Sequence, residues 1–69
     1  MEKNGFMENL IRSVPSGKKT TMELDGVNVA SWRAKVAQIN QADGYTHYSV
    51  AVSSPMNIFG IINNGDKDD

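Results

Sequence analysis

In Asn28-Val29-Ala30-Ser31-Trp32-Arg33-Ala34-Lys35-Val36-Ala37-Gln38-Ile39-Asn40, the apolar side chains recur at Val29, Trp32, Val36 and Ile39. Spacings of three, four and three set these residues in one stripe along an α-helix. Asn28 is placed to accept a hydrogen bond from a first-turn N–H, which starts the helix. Ala30, Ala34 and Ala37 favour the helical backbone and allow close approach of a second element. Asp43-Gly44 stops it, because glycine takes the left-handed conformation that closes a helix. Arg33 and Lys35 fall off the stripe and face water. A helix with one apolar stripe needs a surface to cover that stripe.

On both sides of the helix the period drops to two. Lys19-Thr20-Thr21-Met22-Glu23-Leu24 puts Thr20, Met22 and Leu24 on one face and Lys19, Thr21 and Glu23 on the other, the pattern of a half-buried strand. Pro15-Ser16-Gly17 before it and Asp25-Gly26 after it are turn chemistry. After the helix, Tyr45-Thr46-His47-Tyr48-Ser49-Val50-Ala51-Val52 alternates with Thr46, Tyr48, Val50 and Val52 on one face and Tyr45, His47 and Ser49 on the other. Ser53-Ser54-Pro55 turns the chain into Met56-Asn57-Ile58-Phe59-Gly60-Ile61-Ile62-Asn63, which pairs antiparallel with its predecessor as a hairpin. Ile58 and Ile62 fall opposite Phe59 and Ile61, so either pair could face the core. Gly60 marks a bulge or a close backbone contact. The first apolar patch, from Phe6 to Val14, fits a short helix through Phe6, Leu10 and Val14 or a strand through Leu10, Arg12 and Val14. The expected fold class is a small α+β domain: one amphipathic helix on a three-stranded, mainly antiparallel sheet. Its order is an N-terminal element of open type, strand, helix, strand, strand.

The chain has 69 residues, no cysteine and one histidine. A domain of about 60 residues buries only about 60% of the surface its unfolded chain exposes, so core packing or self-association must carry the stability. Apolar residues concentrate between Leu10 and Ile62, which places one domain at 10–63, a flexible N-terminus at 1–9 and a disordered acidic tail at 64–69. No run approaches a membrane span, and the start lacks a signal peptide's basic and apolar regions, so a bacterial-type cytoplasm is the expected location. The net charge of −1 averages an acidic tail with a mildly basic domain. Between Leu10 and Asn63, Arg12, Lys18, Lys19, Arg33 and Lys35 stand against Glu23, Asp25 and Asp43.

Several of these residues also carry a resemblance. Ile11-Arg12-Ser13-Val14, Gly17 before a strand, Ser31-x-Arg33 in the helix, Asn40 at its end, Tyr48-Ser49-Val50 and a closing apolar strand resemble small uncharacterised proteins of phages and mobile elements of Bacteroides-type bacteria. Those proteins tend to carry a basic residue in the last strand, whereas Phe59-Gly60-Ile61 has none. The resemblance implies a small strand-and-helix domain with an accessory role such as DNA binding, and no catalytic residues.

Chemistry is sparse. Asp43, His47 and Ser49 are the residue types of a hydrolase triad, yet His47 and Ser49 two apart on one strand face lie about 7 Å from each other, beyond hydrogen-bond reach. Gly17-Lys18-Lys19-Thr20 nearly spells the end of a phosphate-binding loop but lacks the upstream glycine and the following helix. Carboxylates are scattered, so no metal site is expected, and no enzyme activity, cofactor or small-molecule substrate either. Two binding classes are open. Arg12, Lys18, Lys19, Arg33 and Lys35 are the candidate nucleic-acid residues, from the helix or from an uncovered sheet face laid on DNA. Alternatively, if Phe59 and Ile61 project away from Ile58 and Ile62, an apolar patch stays exposed and marks a protein interface or a homodimer.

Overall fold

The computed structural model describes residues 3–66 and contains α1 (Lys3–Arg12), β1 (Lys19–Glu23), α2 (Val29–Asp43), β2 (Tyr48–Ser53) and β3 (Ile58–Asn63). β3 is the central strand of a three-stranded sheet, antiparallel to β1 on one side and to β2 on the other. β1 and β2 therefore run parallel with β3 inserted between them, and α2 makes the crossover that parallel strands require. The α+β expectation and its strand-helix-strand-strand order hold.

Register decides what each strand face meets. Met22 lies opposite Phe59 and Thr20 opposite Ile61 on one side, while Val52 and Val50 lie opposite the same two residues on the other. This row points toward the helices, and Phe59 and Ile61 at its centre are fully buried together with Ile11. Val36 and Ile39 of α2, Val14 and Tyr48 complete the core, with Trp32 packed against it, its ring 5.8 Å from that of Phe59. The Val29, Trp32, Val36 and Ile39 stripe thus lies on the sheet as its period requires. Asn28 caps α2 by accepting from the Ser31 N–H at 3.1 Å, and Gly44, at φ 85°, donates its N–H to the Asn40 carbonyl.

The N-terminal patch is a helix, but its inward residue is Ile11 rather than Phe6, which is 64% exposed. Val14 reaches the core from the bend after α1, because Pro15 disfavours the helical backbone in the residue before it. Residues 3–9, expected as a flexible lead, form the first turns of α1, and residues 1 and 2 lie outside the described residues. At the other end the expected tail begins inside the fold. Asn64 donates its backbone N–H to the His47 carbonyl at 2.8 Å and its side-chain amide to Thr46 O and Ser49 Oγ. Gly65 is buried, donates to Asn63 Oδ1, and its carbonyl accepts from the Tyr45 hydroxyl. The rest of that expected tail, residues 67–69, lies outside the described residues.

Strand bounds and pairing decide two more points. β2 starts at Tyr48, so Tyr45 and His47 are not strand residues; the His47 N–H bonds to Tyr45 O in a tight turn instead. Pairing runs unbroken through Gly60, opposite Thr21 and Ala51, so there is no bulge there. The close-contact alternative is the one found: a Cβ on Gly60 would stand 3.3 Å from Thr20 O and 3.5 Å from Thr21 Cγ2.

Candidate functional site

Two places combine chemistry or exposure with defined geometry. The first is the corner where the ends of α1 and α2 meet. Arg12 donates from both terminal nitrogens to the two Asp43 oxygens, at 3.1 and 3.2 Å, and from Nε to Glu8 at 2.9 Å. Asp43 Oδ2 lies 2.7 Å from His47 Nδ1, and the His47 ring stacks on Tyr48 at 4.1 Å and on Tyr45 at 5.0 Å. The Arg12 hydrogen bonds, and then that of His47, hold the Asp43 carboxyl below its usual range, while Asp43 and Glu8 push the Arg12 guanidinium further up. An ionised carboxylate only accepts, so Nδ1 is the donor to Asp43.

This corner joins elements rather than presenting a reactive group. Both Asp43 oxygens are engaged by Arg12, and the Ser49 hydroxyl accepts from Asn64 Nδ2 instead of reaching His47. Of the triad types, only the Asp43–His47 contact forms. The near phosphate loop is also spent: Gly17 donates its N–H to Asn63 O, and Lys19 and Thr20 are already in β1. Among the described residues, no group of three or more His, Asp or Glu is placed to hold a metal ion, and no helix is long and apolar enough to cross a membrane.

The five candidate cations spread over the surface. Arg12 is committed to Asp43 and Glu8. Arg33 lines a groove with Asn40, Tyr48 and Val50 between α2 and β2, whereas Lys35 lines one with Glu8 and Ala42 between the two helices. Two residues apart on a helix is about 200° of rotation, so they occupy opposite flanks of α2. Lys18 is exposed in the turn before β1, and Lys19 is exposed at its start, on the sheet face away from the helices.

That far face is the second place. Its three rows, each written from β1 through β3 to β2, are Lys19–Ile62–Ser49, Thr21–Gly60–Ala51 and Glu23–Ile58–Ser53. The molecule is 17 Å along its shortest axis, the thickness of one helix layer on one sheet. No described element covers these rows. A depression of about 240 Å³ runs along Thr21, Ala51, Ser53 and Ile58, with Met56 at its rim, 68% exposed. Gly60 keeps the centre of the face low.

Sequence reading missed the asparagines. Asn40 donates to Tyr48 O and accepts from Tyr48 N–H, acting as a one-residue neighbour strand at the edge of β2. Asn63 is buried and donates to Val14 O while accepting from Gly65 N–H. Asn63-Asn64-Gly65 is turn-forming composition, and that was the available signal. Comparison with protein-family models, curated proteins and solved structures finds no match for this chain.

Proposed function

We propose that this chain is a small non-catalytic binding module that docks a protein partner on the sheet face opposite its helices. One observation carries the reading: β3 is apolar on both faces, with Phe59 and Ile61 covered by helices and Ile58 and Ile62 facing away from them. Strands that are apolar throughout are characteristic of sheets covered on both sides. The flanking residues Lys19, Glu23, Ser49 and Ser53 give this centre a polar rim, which is the anatomy of a protein interface. The resemblance to phage and mobile-element proteins makes an accessory role the setting we propose. Nucleic acid is the competing occupant, through Lys18 and Lys19 at one corner of the face.

A photo-reactive benzoylphenylalanine at position 56, exposed at the rim of the face, tests this in the producing cell against the same group at Gln38 on the exposed side of α2. Protein adducts at 56 and none at 38 are expected. Equal adducts at both positions, or nuclease-sensitive adducts at 56, would overturn the reading.

A further inference from the structure

The rows of the uncovered face complement one another in a particular order, and we infer that the occupant is a second copy of this chain, packed about a two-fold axis. The inference rests on the docking reading above and names its partner.

The middle row, Thr21–Gly60–Ala51, carries only small side chains. On one side of it lies Lys19–Ile62–Ser49 and on the other Glu23–Ile58–Ser53. A two-fold axis along the middle row turns each outer row onto the other. Ile62 then meets the partner's Ile58, Ser49 meets the partner's Ser53, and Lys19 meets the partner's Glu23. Each match occurs twice, as an isologous interface requires. The cation and the anion of β1 stand at opposite ends of the strand, which is what makes the face complementary to itself. Sheets stacked face to face sit about 10 Å apart, and a middle row without large side chains lets the four isoleucines close over the axis.

A different two-fold, along β3, would set Lys19 opposite a serine and gain nothing from Glu23. The charge pattern chooses between the two. Three strands of five or six residues form a small face, so the contact belongs with weak interfaces and dissociation in the micromolar range is expected. A second core would also supply the apolar burial that a chain of this length lacks.

The test is sedimentation equilibrium of the full chain from about 10 μM to about 1 mM, the range of weak specific contacts. Lys19→Glu and Glu23→Lys are measured singly and together. Both side chains are exposed, Glu23 giving up only a 3.4 Å hydrogen bond from Asn57 Nδ2, and circular dichroism of each variant checks that the fold is kept. The expected result is a wild-type dimer, dissociation constants raised about tenfold or more in each single variant, and recovery in the double variant, where each pair is restored with signs exchanged. A chain monomeric throughout the range overturns the second copy, while adducts at position 56 to another protein would still uphold the docking reading. A dimer unmoved by the charge changes and by Ala51→Arg, with no adducts at 56, overturns both.

Discussion

The two faces of β3 share one backbone and differ in everything that covers them. Phe59, Ile61 and Asn63 point into the helices and are buried, with the Asn63 amide bonded to Val14 O and Gly65 N–H. Ile58, Gly60 and Ile62, offset by one residue, look out past Thr21 and Ala51 with no described element above them. The comparison teaches that apolar composition alone does not assign a residue to the fold. The inner set holds the domain together, and the outer set, just as apolar, packs under no described element.

The contrast can be attacked from the inner side first. A domain of this length has about 3–10 kcal/mol of stability at ordinary per-residue values. Phe59→Ala, which empties a fully buried site beneath Trp32, should cost about 3–5 kcal/mol and leave much of the chain unfolded in a urea titration. Asn63→Ala comes next at about 1–3 kcal/mol, since it strands the buried Val14 carbonyl and Gly65 N–H. The Arg12–Asp43–His47 corner follows. Because Asp43 is held below its usual range in the folded chain, the unfolded chain takes up the proton first. Its stabilisation is complete above the unfolded value of about 3.9 and is lost as pH falls through the lower folded value. Asp43→Asn should cost about 1 kcal/mol at neutral pH and flatten the acid limb of stability measured against pH. On the outer side, Ala51→Arg should move stability by about 0.5 kcal/mol or less while abolishing partner adducts and association. Equal losses of stability on the two faces would dissolve the comparison.

What the sequence made legible follows the same division. The helix stripe, the Asn28 cap, the Gly44 stop and the hairpin are local patterns whose period or turn chemistry spans a few residues, and each is found in place. The phase of β3 was open because both of its faces are apolar, and only pairing with β1 and β2 sets it. Arg12 illustrates what sequence cannot reach. Read as a cation offered to nucleic acid, it is bound to Asp43, 31 positions away, a contact that exists only once α1 and α2 have packed. The Asn63-Asn64-Gly65 clasp was hidden in the same way, since composition assigns polar terminal residues to a tail and their partners Val14, Thr46 and His47 are distant in the chain.

Hydroxyl-radical footprinting compares the faces in one sample, because Met56 beside the outer face and Phe6 on α1 are nearly equally exposed, at 68% and 64%. Labelling in the producing cell is set against labelling of dilute purified protein. If the outer face is a docking surface, Met56 and Ile62 are protected in the cell while Phe6 reacts to the same extent in both. Equal labelling of Met56 and Phe6 under both conditions would contradict the account.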